Sequence, residues 1–267
     1  MFCFFHNANY NGFMKINQAF NAIAAAGGTR AARIITEHKQ NLSRVAVFFI
    51  ARKLRRGVPV AKIVHKKWFY GLCFYTDKHT LDPRPDTETL VSAVIADNPT
   101  TPRILDLGTG TGCVLISLVR NIHGATGVGV DVSRGAVLAA RRNANTHAAG
   151  AVRIIRHSYH KTNMPGAPFD VIVSNPPYIA RGDVRVNAGA MHDPARALYA
   201  ADDGYAEYEI IAKNARAWLR DGGRIYLEIG DGMSARVREI FDCTGWTFVR
   251  SEQDLAGITR VLVFDKK

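Results

Sequence analysis

The chain has 267 residues, 47% hydrophobic and 22% charged, which allows one large α/β domain with a small appendage and argues against wholesale disorder. No run approaches the roughly 18 uninterrupted apolar residues that a membrane helix needs, so the expectation is a cytoplasmic protein with no membrane role. The net charge of +12 is unevenly placed: residues 1–80 carry 13 Lys/Arg against Glu37 and Asp77, whereas 81–267 carry 22 against 21.

Such asymmetry marks either an acidic partner reached by long-range steering or a solvated basic face. Residues 1–36 contain no acid and only Lys15, Arg30 and Arg33 as cations, thin support for an organellar transit peptide. The plainer reading opens the folded part at Met14 and leaves 1–13 as an extension. From 14 to 67 apolar residues recur at helical spacing, first Ile16, Phe20, Ile23 and Ala24, then Val45, Phe48, Phe49 and Leu54. Gly27-Gly28 and Gly57-Val58-Pro59 punctuate them, and a small helical bundle is expected. Trp68 to Leu81 reads as an aromatic hairpin around Gly71, and Pro83-Arg84-Pro85 as an extended linker. The expected division is therefore a helical domain with hairpin over 1–80 and a catalytic domain over 81–267.

Beyond the linker, strands are expected at 103–107, 127–131, 152–156, 169–174, 223–229, 246–250 and 259–264. Helices are expected near 87–96, 113–121, 133–147, 205–219 and 233–243. The alternation predicts a parallel sheet with helices on both faces. Only Ser251 to Ile258 separates the last two strands, too little for a crossover, so one of them runs antiparallel to its neighbours. That feature distinguishes a seven-stranded mixed methyltransferase sheet from a dehydrogenase sheet. Tyr205, Tyr208, Ile211, Ala212, Ala215 and Trp218 form a stripe expected to be core.

Arg103-Ile-Leu-Asp-Leu-Gly-Thr-Gly-Thr-Gly112 is a buried strand running into a glycine-rich turn and then a helix. Gly108, Thr109, Gly110, Thr111 and Gly112 let a ligand approach the backbone closely. The spacing is not the G-x-G-x-x-G of dinucleotide sites, and no G-x-x-x-x-G-K-[ST] occurs. Asp131 ends the next strand, where a carboxylate can accept both hydroxyls of a ribose; the alternative is a surface aspartate capping the helix at Ser133. Asp106 reads either as organiser of the loop or as partner for the amino-acid end of the ligand. Together these point to an adenosyl ligand.

In Phe169-Asp-Val-Ile-Val-Ser-Asn-Pro-Pro-Tyr178 an apolar strand ends in Asn175, and Pro176 and Pro177 then freeze the turn that holds Tyr178. The Asn175 side chain and the Pro176 carbonyl can grip both hydrogens of a target NH2 group. An amide nitrogen is a weak nucleophile because its lone pair is delocalised. Orienting it for in-line attack on a sulfonium methyl matters more than a strong base, and orientation is worth on the order of 7–11 kcal/mol. Tyr178 would pack against the flat target group. A rigid loop around a buried tyrosine is the structural alternative. The nine histidines and the four cysteines, at 3, 73, 113 and 243, show no metal-ligand spacing, and Cys113 reads as packing.

These residues resemble the class I methyltransferases that modify glutamine in peptide chain release factors, the HemK or PrmC family. The similarity covers roughly 14–265. It runs through Met14-Lys-Ile-Asn-Gln, Arg56-Gly-Val-Pro-Val, Leu81-Asp-Pro-Arg-Pro-Asp-Thr-Glu88, Asp106 to Gly112, Asn175 to Tyr178 and Asp254-Leu-Ala-Gly257. The resemblance implies a Rossmann-like fold with an N-terminal helical domain that helps receive the release factor. It also implies methylation of the glutamine in the factor's Gly-Gly-Gln loop. By matching motifs, Gly108 to Gly112 and Asp131 would hold S-adenosylmethionine and Asn175 to Tyr178 the glutamine. Tyr159 stands where the family has an aromatic residue near the adenine, with Ser158 in place of the usual acid before it. A monomer acting on release factors is the expectation. The competing readings are an amino-methyltransferase of an RNA or DNA base, for which N-P-P-Y is also known, and a non-catalytic binder.

Overall fold

The computed structural model describes residues 13–180, 182 and 190–266; the expected extension 1–13 lies outside them apart from Phe13. The chain divides into two compact units, Met1–His65 and Lys66–Lys267, so the division precedes the hairpin that the sequence grouped with the helices.

In the first unit α1 (Ile16–His38) continues through Gly27 and bends at Gly28, where φ is 84°. With φ 84° and ψ 163° Gly28 is not helical, so two helices adjoin at this kink and the glycine pair punctuates them as expected. At the start of α2 (Arg44–Arg55) the Ser43 hydroxyl accepts the Ala46 amide at 3.1 Å, satisfying one of the amides that a helix start leaves open. The short α3 (Val60–Val64) follows the Gly57–Pro59 break. Ile23, Ile35, Val47, Ile50 and Ile63 meet in the core of this unit. The expected stripe is corrected here. Val45, Phe48 and Phe49 are exposed, and α2 instead turns Val47, Ile50 and Ala51 inward.

The second unit opens with the hairpin β1 (Lys67–Phe69) and β2 (Leu72–Phe74), paired antiparallel. Phe69 and Phe74 are buried in the core beneath the main sheet. Pro85 does not prolong the linker, as expected from the sequence. It starts a 3-10 turn, Pro85–Thr87, that leads directly into α4 (Glu88–Ala96), because a fixed φ suits the first helical position, where no amide donor is needed.

Then come β3 (Arg103–Leu107), α5 (Cys113–Asn121), β4 (Thr126–Asp131), α6 (Arg134–His147), β5 (Val152–Arg156) and β6 (Phe169–Ser174). A two-stranded parallel pair that the sequence did not suggest follows, β7 (Ile179–Ala180) with β8 (Tyr199–Ala200), the short α7 (Ala195–Leu198) lying between them in the chain. The chain finishes with α8 (Ala206–Ala215), β9 (Leu219–Glu228), α9 (Ser234–Cys243), β10 (Trp246–Gln253) and β11 (Thr259–Lys266). The expected helix 205–219 is interrupted: after α8 a 3-10 turn carries Trp218 into the core, where its ring N–H donates to the Thr162 carbonyl at 2.7 Å.

The seven-stranded sheet has the order β10-β11-β9-β6-β3-β4-β5. β11 runs antiparallel to both β10 and β9, and the remaining pairs are parallel, as the short final connection requires. Successive residues of a strand face opposite sides of the sheet. Accordingly Ile104, Val171 and Val173 join one buried cluster and Leu105, Leu107 and Ile172 the other, with Tyr208, Ile211, Ala212, Ala215 and Trp218 of the predicted stripe. No helix among the described residues is long and apolar enough to cross a membrane.

Candidate functional site

Strand register brings Gly108, Asp131 and Asn175 to one edge of the sheet. Leu107, the last residue of β3, pairs with Val130 of β4 on one side and Ser174 of β6 on the other. The residues that follow, Gly108, Asp131 and Asn175, therefore leave the carboxyl edge of the sheet side by side, the usual ligand edge of an open α/β sheet.

Gly108, Gly110 and Gly112 have φ of 70°, 56° and 80°, a region that side-chain-bearing residues enter only at a steric cost. The turn is further held by Thr109, whose hydroxyl donates to Asp106 at 2.6 Å and whose carbonyl accepts the Gly112 amide at 2.7 Å. Burial raises the Asp106 carboxyl to about 7, against the opposing effect of the Thr109 hydrogen bond. Asp131 accepts the Gly110 amide at 3.1 Å on one oxygen and the Ser133 amide at 2.8 Å on the other. It thus serves the helix start and the loop together. Each carboxylate oxygen has a second lone pair for a ligand hydroxyl. Burial raises its pKa as well, opposed by the two amides.

Gly108, Gly110, Asp131, Tyr159, Asn175 and Pro177 line one crevice. A second cavity continues from it past Gly108, Gly110 and Asn175 to Asp106, Thr109, Thr111 and Thr87. This arrangement fits an adenosyl group: a carboxylate for ribose, apolar walls from Val132, Ala136 and Tyr159, and a buried acid beyond the glycines. The Tyr159 hydroxyl donates to Glu207 at 2.6 Å, which fixes its ring beside the turn. The Ser158 hydroxyl accepts the His160 amide at 3.2 Å, and Ser158 does not line that crevice. Cys113 is buried and burial pushes its thiol up to about 12, so it stays protonated and packs.

At the Asn-Pro-Pro-Tyr corner, the Asn175 amide nitrogen donates to Thr87 Oγ1 at 3.1 Å. The Tyr178 ring lies so close to Gly230 that a Cβ there would come within 3.0 Å of it, and its hydroxyl reaches Glu228 Oε1 at 3.5 Å. Pro176 is buried and Pro177 half-buried.

Several residues escaped the sequence reading. His79, Thr80, Leu81, Pro194, Arg196 and Ala197 form the remaining crevice wall. Asp193 accepts the Arg84 guanidinium at 2.6 Å and the Asp82 amide at 3.3 Å, binding the segment after the hairpin to the chain before α7. Asn143 accepts the Tyr75 amide at 2.8 Å and donates to the carbonyls of Tyr75 at 3.0 Å and Thr111 at 2.9 Å. The density of prolines and acids in Leu81 to Glu88 was the one available signal that this stretch meets the site. Among the described residues no group of three or more His, Cys, Asp or Glu is placed to hold a metal ion.

Residues 80–236 match the methyltransferase small domain family. The chain is 35% identical over 249 residues to the release factor glutamine methyltransferase of Burkholderia pseudomallei, covering 89% of this chain and 87% of that protein. It is also 35% identical over 260 residues to the bifunctional methyltransferase of Rickettsia felis, where the match covers 84% of this chain and 49% of that protein; the chain thus spans about half of that relative. Among solved structures, a methyltransferase from Pyrococcus furiosus superposes with a TM-score of 0.56 at 18% identity, over 73% of this chain and 89% of that one, a likeness of fold.

Proposed function

Because the chain belongs to the family of release factor glutamine methyltransferases, we propose that it methylates the side-chain amide nitrogen of the glutamine in the Gly-Gly-Gln motif of peptide chain release factors. S-adenosylmethionine supplies an electrophilic methyl group on a sulfonium. Asp131 accepts the ribose hydroxyls, Val132, Ala136 and Tyr159 flank the adenine, and Asp106 with the glycine turn receives the amino-acid end. Asn175 Oδ1 and the Pro176 carbonyl accept the two hydrogens of the target carboxamide. This fixes the nitrogen lone pair along the line of attack and excludes other orientations.

The observation that carries this reading is the bond from the Asn175 amide nitrogen to Thr87 at 3.1 Å. With its donor end engaged, the side chain has its acceptor end left for a substrate NH2. A carboxamide substrate demands just such an acceptor.

The test is transfer of tritium from labelled S-adenosylmethionine to a purified release factor and, in parallel, to total RNA. Label in the release factor, lost when its Gly-Gly-Gln glutamine is replaced, supports the proposal. Label in RNA alone overturns it in favour of a base methyltransferase.

A further inference from the structure

Tyr159 is the aromatic wall of the crevice, and its own loop does little to hold it there. The loop from His157 to Pro168 contains no acid. The Ser158 hydroxyl accepts the His160 amide at 3.2 Å and reaches neither the crevice nor the tyrosine ring. Both ends of Tyr159 are held instead by α8. Its hydroxyl donates to Glu207 Oε2 at 2.6 Å, and its carbonyl accepts the Asn214 side-chain amide at 3.1 Å. Glu207 and Asn214 lie two turns apart on one face of that helix, so together they fix where the residue sits and which way its ring points. The ring edge meets the glycine turn, where a Cβ on Gly108 would come within 3.9 Å of Tyr159 Cε1. Burial and the Glu207 carboxylate raise the phenol well above its ordinary value. The hydroxyl therefore keeps its proton, and Glu207 is the acceptor.

α8 can serve as a brace because it is itself firmly held. Tyr208, Ile211, Ala212 and Ala215 are fully buried. The Tyr208 hydroxyl donates to the Glu228 carbonyl at 2.8 Å, and the Trp246 ring N–H donates to the Ala212 carbonyl at 2.9 Å. Just before the helix, Gly204 passes so near the Asn-Pro-Pro-Tyr corner that a Cβ there would collide with the Tyr178 carbonyl oxygen.

We propose that Glu207 is a positioning residue for the cofactor: its carboxylate holds the Tyr159 ring in place as a wall of the adenosyl crevice, and cofactor affinity depends on that bond. A hydrogen bond to a charged acceptor is stronger than one between neutral groups, and a wall already in place removes the cost of ordering it around the ligand. Glu207 does not line the crevice itself, so its effect on the cofactor runs through Tyr159. The competing role for Glu207 is its contact with His160, whose Nε2 lies 2.9 Å from the same oxygen. That ring is half-exposed, and exposed pairs of this kind contribute little.

The proposal rests on reading this crevice as the S-adenosylmethionine site, and calorimetry on the full chain tests it. Glu207→Ala should raise the dissociation constant for S-adenosylmethionine about tenfold. Tyr159→Phe, which removes the hydroxyl and keeps the ring, should raise it about fivefold or more. The double variant should be no weaker than the weaker single one, because both changes remove the same bond. Glu207→Gln keeps an acceptor oxygen and should return to within about threefold of the wild type, and His160→Ala should stay within about twofold. In Glu207→Ala the loss should appear in KM for S-adenosylmethionine and not in kcat at saturating cofactor, a split that general loss of structure would not give. Wild-type affinity in Glu207→Ala, additive losses in the double variant, or an equal loss in His160→Ala overturns the proposal. Should Glu207→Ala not fold, Tyr159→Phe decides, and wild-type affinity there overturns it too. A wild type that gives no heat with S-adenosylmethionine overturns the cofactor reading and the proposal with it. The predicted pattern in a protein that labels no release factor upholds the brace and overturns the substrate assignment instead.

Discussion

The Ser174 hydroxyl donates to the Leu107 carbonyl at 2.9 Å, between residues that also pair in the sheet. This side-chain bond locks the ends of β6 and β3 at the point where one strand gives way to the glycine turn and the other to the Asn-Pro-Pro-Tyr corner. The proximity of the glycine turn and the Asn-Pro-Pro-Tyr corner is thus a property of the sheet, and under the proposed function cofactor and substrate roles should be separable by mutation.

Asn175→Ala should leave the dissociation constant for S-adenosylmethionine within about twofold and lower kcat by on the order of a hundredfold or more, as for loss of one preorganised polar contact to a reacting group. Calorimetry with the cofactor and steady-state kinetics read the two effects. Equal losses in both would make Asn175 a structural residue.

Asp131→Ala should do the reverse at the first step. Removing hydrogen bonds to a charged group costs about 1.5–3 kcal/mol, a weakening of cofactor binding by roughly ten- to a hundredfold. The Gly110 and Ser133 amides also lose their acceptor, so Tm should fall. Asp131→Asn, which keeps an acceptor oxygen, should show a smaller loss of affinity by calorimetry.

Asn143→Ala removes three hydrogen bonds at a buried position and frees the hairpin end from the glycine turn. The expected destabilisation is about 2–4 kcal/mol, measured by urea unfolding. A loss below about 0.5 kcal/mol would mean that the loop is held by its own backbone alone.

Asp106 gives a pH dependence of known sign. Burial raises its carboxyl from 3.8 to about 7, so the native state holds the proton more tightly than the unfolded chain does. Its contribution to stability is complete below the ordinary carboxylate value and is lost as pH rises through about 7. Urea midpoints of the protein without ligand should therefore decline between about pH 4 and pH 7, and Asp106→Asn should have a shallower decline and a higher midpoint at pH 8. The same slope in both proteins would leave Glu228 as the group responsible, since burial lifts it to about 7 as well.

Much of this architecture was legible in the sequence because it is written locally. Continuous apolar runs give buried parallel strands, the short gap before Thr259 forces one reversed strand, and three closely spaced glycines allow a turn that no other residue takes at low cost. The parts that were not legible depend on partners distant in the chain. Asn143 meets Tyr75 and Arg84 meets Asp193 only after folding, and neither contact carries a pattern of its own. The facing of α2 failed for a different reason. It has two apolar stripes, Val45-Phe48-Phe49 and Val47-Ile50-Ala51, and periodicity cannot choose between them; packing against its neighbours in the helical unit does.

Tandem mass spectrometry of the Gly-Gly-Gln peptide, after a release factor has been incubated with the purified protein and S-adenosylmethionine, tests the central claim most directly. One added methyl group located on the glutamine side chain, present with the wild type and absent with Asn175→Ala, is the predicted result. An unmodified glutamine, or a methyl group placed there equally well by Asn175→Ala, would contradict it.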